Sequence, residues 1–96
     1  MSKYILAKVL GSNPSSKILE VFILNKNNEL TMTDIIRGAS VGAEQAYTVM
    51  RRLLSYGIVC KTKKIGNYQL YQINKQNKSA KLLIKLFYSF GRQSDK

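Results

Sequence analysis

The segment 43–52 contains the side chains whose chemistry stands out most in this sequence. A glutamine amide can pair with adenine through two hydrogen bonds, and an arginine guanidinium can pair with guanine or with phosphate. Glu44 could accept a hydrogen bond from cytosine, but we favour the simpler role of offsetting the positive end of a helix. The alternative for the whole segment is an ordinary solvated helix surface. The candidate contact residues are Ala43, Glu44, Gln45, Tyr47, Thr48, Arg51 and Arg52.

A second candidate cluster is rich in lysine and surrounds a Gly66-Asn67 pair, which is typical of a tight hairpin turn. Lysines at a hairpin tip suit phosphates or the minor groove of a duplex, where they add affinity that does not depend on sequence. Lysines on an exposed strand also keep that strand from pairing with another chain, and the two roles are compatible. The candidate residues here are Lys61, Lys63, Lys64, Asn67 and Tyr68.

The residues needed for catalysis or metal binding are scarce. The chain has one cysteine, no histidine and five carboxylates, none of which are paired at close spacing. This excludes a disulfide framework within the chain and leaves no plausible zinc site or nucleophile–base pair. We therefore expect a protein that is not an enzyme and has neither a cofactor nor a metal. For Cys60 we favour a small thiol that fills space in a strand over a redox switch, because no second cysteine could resolve it.

Net charge is the strongest bulk signal, at +11 for 96 residues. Residues 1–40 have a net charge of +2 and residues 41–96 a net charge of +9. A positive field concentrated in one part of a small domain favours a polyanion, most often nucleic acid. A lysine-rich proteome or a solubility device is the alternative explanation.

Composition also bears on location and source. The sequence has no apolar run long enough to span a bilayer, and its N-terminus does not resemble a signal peptide. We therefore expect no membrane partner and a cytoplasmic, nucleoid-associated protein, or one in the host cytoplasm if its source is viral. The many lysines, isoleucines and asparagines suggest an AT-rich genome, archaeal or viral.

Hydrophobic periodicity supplies the elements that would position these side chains. Apolar residues at helical spacing predict helices over about 14–25 and 43–56 and a shorter helix between them, which we expect Thr33 to cap. The stretches "IVCKTKKI" and "YQLYQI" predict two strands of a hairpin, and Leu30-Thr31 could form a very short strand. Within a single domain, 1–96, the predicted parts are an N-terminal helix or arm at 1–11, a helix pair at 33–56, a hairpin at 58–73 and a C-terminal helix at 77–91.

The corner "SVG" between the two middle helices is tight, as in a helix-turn-helix unit. Together with "LTMTDI", "RLLSYGIV" and the lysine-rich hairpin, it makes the chain resemble the winged helix-turn-helix domain of MarR- and ArsR-type transcription regulators over about residues 15–90. The resemblance implies an α+β fold, mostly α, with a two-stranded β-wing and a C-terminal dimerisation helix. It also implies that helix 43–56 lies in the major groove of DNA. The chain departs from the family at Gly42, where serine is frequent, and in lacking the ligands of ArsR-type metal sensors.

The C-terminal helix presents an unusually apolar face for the end of a small protein. That face could pack on its own domain or pair with the same helix of a second subunit, and we favour a homodimer. Two-fold symmetry would then predict a palindromic DNA site. The expected interface residues are Leu82, Leu83, Leu86, Phe87 and Phe90.

Together these features predict a sequence-specific regulator of transcription that binds double-stranded DNA as a dimer and acts as a repressor. One alternative is a DNA-organising or plasmid-maintenance protein with little sequence preference. Another is a winged-helix module for protein interaction in a larger assembly. The basic residues Arg51 and Arg52 and the hairpin lysines argue against this last alternative.

Overall fold

The computed structural model describes residues 13–94, with side chains through Ser89. The chain is mostly helical with one two-stranded antiparallel sheet, which confirms the predicted fold class. The predicted helix or arm at 1–11 lies outside the described residues. The elements are α1 (Pro14–Leu24), α2 (Met32–Ala39), α3 (Ala43–Ser55), β1 (Val59–Ile65), β2 (Tyr68–Ile73) and α4 (Lys78–Ser94).

Helix α1 is the central helix of the core. Asn13 caps its first turn, where the side-chain Oδ1 accepts a hydrogen bond from the Ser16 N–H at 2.9 Å, and Pro14 occupies the first helical position. Ile18 and Phe22 are fully buried. The helix ends one residue earlier than predicted, because Asn25 caps its C-terminus.

Helix α2 is capped by Thr31, so the expectation that Thr33 would cap it was wrong. Thr31 Oγ1 accepts from the Asp34 N–H at 3.2 Å, and Asp34 Oδ2 accepts from the Thr31 N–H at 3.0 Å. This reciprocal arrangement needs an acceptor side chain three residues after the cap. Thr31 has Asp34 at that position, whereas Thr33 has Ile36 there and lies exposed in the first turn.

We expect Thr31→Ala to lower the free energy of unfolding by about 1 kcal/mol, because it leaves the Asp34 N–H in the first turn of α2 without its acceptor. Thr33→Ala is the matched control, since it removes the same hydroxyl from an exposed position two residues away. Urea denaturation followed by circular dichroism measures both variants. Equal losses for the two would contradict the assignment of the cap.

The corner between α2 and α3 sets the second helix against the first. Ser40 ends α2 in a left-handed conformation, with φ of 55°. The Val41 N–H then donates to the Ile36 carbonyl at 3.3 Å, and Gly42 precedes α3 at its N-cap position. The buried sides of the two helices join one core. That shared core includes Ile35, Ala39, Ala46, Val49, Met50 and Leu53.

A glycine inside α2 allows close packing against α1. A Cβ built at Gly38 would lie 3.1 Å from Val21 Cγ2, closer than ordinary packing permits. The absence of a side chain therefore brings α2 close to the central helix.

The two strands form the predicted hairpin. Val59 pairs with Ile73 at the base and Ile65 with Tyr68 at the tip, where Gly66-Asn67 makes the turn. Gly66 adopts φ of 60°, which glycine does without strain. The register shifts between Lys61 and Lys64.

The hairpin is tied to the rest of the domain near its base. The short strand predicted at Leu30-Thr31 is a single bridge, in which Leu30 and Tyr71 exchange backbone hydrogen bonds of 2.7 and 2.8 Å. Since Leu30 immediately precedes the Thr31 cap, this bridge couples the base of the hairpin to the start of α2.

Helix α4 returns to the core after the hairpin. Asn77 precedes it and accepts a hydrogen bond from the Ala80 N–H at 2.9 Å. Ala80 and Phe87 join the buried core. Within residues 13–94 no helix has both the length and the apolar character needed to cross a membrane.

Candidate nucleic-acid interface

The outer face of α3 is polar, with the acidic Glu44 in its first turn and the cationic Arg51 and Arg52 towards its end. Ala46, Val49, Met50 and Leu53 recur at helical spacing and are buried, which turns the intervening positions to solvent. Each recognition residue predicted from the sequence lies exposed on this helix: Ala43, Glu44, Gln45, Tyr47, Thr48, Arg51 and Arg52.

Two of these side chains make hydrogen bonds with their own helix. Gln45 Oε1 accepts from the Gly42 N–H at 3.5 Å, a long contact that can break at little cost. Thr48 Oγ1 donates to the Glu44 carbonyl at 3.1 Å. The Thr48 oxygen therefore keeps its lone pairs as acceptors, while the Gln45 amide retains its two N–H donors.

One flank of this face forms an open groove with the start of α1. The groove has a volume of about 700 Å³. Arg52 is part of its lining and Arg51 is not, so the two neighbouring arginines have different surroundings. Its lining residues are Asn13, Pro14, Ser15, Glu44, Gln45, Thr48, Val49 and Arg52.

The predicted hairpin residues are also exposed. Lys61, Lys63, Lys64, Asn67 and Tyr68 all face solvent. The structure therefore gives two exposed basic surfaces, one on α3 and one on the hairpin that follows it after a three-residue connection.

Glu29, which the sequence analysis did not single out, holds the hairpin where its register shifts. Thr62 Oγ1 donates a hydrogen bond to Glu29 Oε1, and Lys63 Nζ lies 3.6 Å from Glu29 Oε2. Glu29 thus offsets part of the Lys63 charge. For Lys61 and Lys64, no ion pair is seen within residues 13–94.

Ile65 is a further exposed residue that the sequence analysis missed. It lies at the tip of the hairpin opposite Tyr68, and both side chains are exposed. The sequence did contain a signal for this exposure. An isoleucine directly before a Gly-Asn turn lies at the tip of the hairpin, which is too far from the core for its side chain to be buried there.

The apolar residues predicted for a dimer interface divide into two groups. Phe87 is 8% exposed, and Leu83 packs partly buried against the same core. Leu82 and Leu86 face solvent, and Leu82 is 63% exposed. The side chain of Phe90 lies outside those described.

Cys60 is half-buried in β1, where its Sγ lies 3.6 Å from the Gln72 carbonyl oxygen. In the described part of the chain, no three or more histidine, cysteine, aspartate or glutamate side chains group together as a metal site would require.

Known structures match this arrangement of helices and hairpin. The adhesin competence repressor of Streptococcus pyogenes matches with a TM-score of 0.68 at 14% identity, over 94% of this chain and 67% of its own. The homodimeric winged helix-turn-helix DNA-binding domain of a possible ArsR-family regulator from Mycobacterium bovis matches with a TM-score of 0.62 at 19% identity, over 94% and 78%. The chain has a winged helix-turn-helix fold. In the terms of that fold, the hairpin β1–β2 is the wing and α3 is the second helix of the helix-turn-helix.

A third winged-helix neighbour has a higher sequence identity. The ferric uptake regulator of Francisella tularensis, solved with iron, matches with a TM-score of 0.58 at 26% identity over 67% of this chain. The match covers 52% of that regulator, so the chain spans about half of its length. The sequence itself matches no protein-family model and no curated protein.

Proposed function

We propose that this chain is a double-stranded-DNA-binding regulator of transcription. The observation that carries the proposal is the exposed outer face of α3, which presents amide, hydroxyl and guanidinium groups and no large aliphatic side chain. In a helix-turn-helix, the second helix lies in the major groove with its exposed side chains against base edges. Gln45, Thr48 and Arg51 would read bases there.

The wing supports the same proposal through electrostatics. Lys61, Lys63 and Lys64 would contact phosphates, which adds affinity without sequence preference. The net charge of +11 favours the approach of any polyanion. The structural neighbours agree, because the proteins from Streptococcus and Mycobacterium are described as a repressor and as a DNA-binding domain.

We extend the proposal to a homodimer that represses by occupying a palindromic promoter site. The exposed side of α4, with Leu82 and Leu86, offers an apolar surface to a second copy, and the Mycobacterium domain is described as homodimeric. A two-fold axis would place two recognition helices about one DNA turn apart. Such a protein blocks polymerase by binding and performs no catalysis.

Fluorescence anisotropy tests this function directly. The labelled DNA is the region upstream of the protein's own gene, with a random duplex of equal length as control, each titrated at several salt concentrations. A clear preference for the upstream DNA supports a site-specific regulator. Equal, strongly salt-dependent binding supports a DNA-organising protein, and no binding at physiological salt favours a protein-interaction module.

We expect Lys64→Ala to weaken binding to both duplexes alike and to lower the salt slope by about one unit, because one phosphate contact and its counterion release are lost. Lys63→Ala is the matched comparison on the same strand, and its effect should be smaller since Glu29 already offsets part of the Lys63 charge. The same salt titrations measure both variants. A larger effect on the upstream DNA than on random DNA would contradict a phosphate-contacting role for Lys64.

A further inference from the structure

The tip of the wing presents an apolar pair to solvent. Ile65 and Tyr68 are directly paired across the hairpin, so their side chains lie on the same face of the sheet. They are 59% and 64% exposed. A Cβ added at Gly66, between them in the turn, would meet no atom within 4 Å, so the turn projects into open space.

The base of the same hairpin contains an apolar pair that is buried in the core and so contributes to folding. Val59 and Ile73 are directly paired at the base and are only 1% and 2% exposed. The tip pair adds no comparable burial, since it lies beyond the reach of the core. The two tip side chains form one small contiguous apolar surface beside exposed lysines, and apolar surface rimmed by polar residues is the kind that meets a partner.

The charge around the tip identifies the chemistry of that partner. Lys63 and Lys64 immediately precede Ile65 in β1, and both are exposed. A projecting tip that is apolar and flanked by cations fits a polyanion whose interior is apolar and open to a narrow projection. A DNA duplex has phosphates on the outside and stacked bases within, and the same lysines already belong to the proposed DNA surface.

We propose that Ile65 and Tyr68 form a wedge that enters the minor groove of the bound DNA, partly unstacks one base step and bends the duplex. The wedge rests on the proposed DNA-binding function and adds to it a deformation of the DNA. Apolar side chains inserted between base steps in this way kink DNA by roughly 20–90°. The flanking lysines would hold the phosphates on either side of the opened step.

The wedge also adds a source of sequence preference outside the recognition helix. Pyrimidine–purine steps such as TA unstack most easily, so the wing would favour sites with such a step beneath its tip. This preference would act at positions that α3 does not touch.

Two optical measurements on the bound duplex test the wedge. Energy transfer between dyes at the two ends reports bending, and 2-aminopurine placed at successive steps reports unstacking. The wild-type chain should bend the duplex by roughly 20–90° and raise the fluorescence at one step. The double variant Ile65→Ser, Tyr68→Ser should bind a straight duplex with no such rise, while the salt slope set by the lysines stays unchanged.

Matched variants separate the wedge from general loss of apolar surface. Leu24→Ser removes an exposed aliphatic side chain at the end of α1, outside the wing, and should bend DNA as the wild type does. The conservative pair Ile65→Leu, Tyr68→Phe keeps an apolar tip and should retain bending.

The results that would contradict the wedge can be distinguished from those that would contradict DNA binding. Wild-type binding to an unbent duplex, or bending that survives in the serine double variant, overturns the wedge and leaves the DNA-binding function intact. No duplex binding by the wild type overturns the function itself and the wedge with it. A tip that binds vesicles of anionic lipid, lost in the serine variant, while the bound duplex stays straight, would assign the pair to a membrane surface instead.

Discussion

Replacement of Phe22 by alanine is expected to lower the free energy of unfolding by about 3–5 kcal/mol. Phe22 is fully buried in the last turn of α1 and belongs to the core that α2, α3, β1, β2 and α4 share. The substitution removes the transfer energy of the ring and leaves a cavity that the surrounding helices can fill only in part. Because domains are stabilised by only about 5–15 kcal/mol, this one change should bring the protein close to unfolding.

Leu24→Ala is the matched control for this prediction, because Leu24 lies two residues further along the same helix and is exposed. Its effect should stay within about 0.5 kcal/mol. Urea denaturation followed by circular dichroism measures both. If Phe22→Ala does not fold, Phe22→Leu gives a smaller, measurable loss, and a loss no greater than that of Leu24→Ala would contradict the central place of α1 in the core.

The helical part of the fold could be predicted because its signals are local. Apolar residues at spacings of three and four marked the buried faces of α1 and α3. The Gly66-Asn67 pair placed the turn of the wing correctly. In each case, the chemistry that fixes the structure lies within a few residues of the signal.

Features that depend on long-range packing were harder to predict. The C-terminal helix showed one apolar face in the sequence, but the fold buries Phe87 and leaves Leu82 exposed. The position at which the chain leaves the wing determines which side of that helix packs on the core. No pattern within the helix itself encodes this position. The contact of Glu29 with Thr62 and Lys63 joins residues more than thirty positions apart for the same reason.

The candidate recognition surface could be predicted only in part. Exposure of the polar face of α3 follows from the buried pattern of the same helix, so it was predictable. The groove beside Arg52 was not, because it needs the start of α1 to lie next to α3. This groove gives the two adjacent arginines separate environments, and a substitution at each can therefore have a different effect.

Arg51→Ala is expected to weaken binding to the specific site by about 1–3 kcal/mol, which corresponds to roughly 5- to 150-fold in affinity. The reason is that a guanidinium paired with guanine through two hydrogen bonds discriminates against other bases, and random DNA offers no such partner in a fixed position. The affinity for a random duplex should fall less, because there the substitution removes only one positive charge. Anisotropy titrations against both duplexes at one salt concentration measure the difference.

Two matched variants decide whether Arg51 reads a base or merely supplies charge. Arg51→Lys keeps the charge but cannot form the two parallel hydrogen bonds, so it should lose affinity for the specific site while binding random DNA like the wild type. Arg37→Ala removes the same charge from the exposed end of α2, and should weaken both duplexes equally and slightly. If Arg51→Lys binds the specific site as well as the wild type does, Arg51 contacts phosphate, and sequence recognition must come from Gln45, Thr48 and the deformation of the DNA itself.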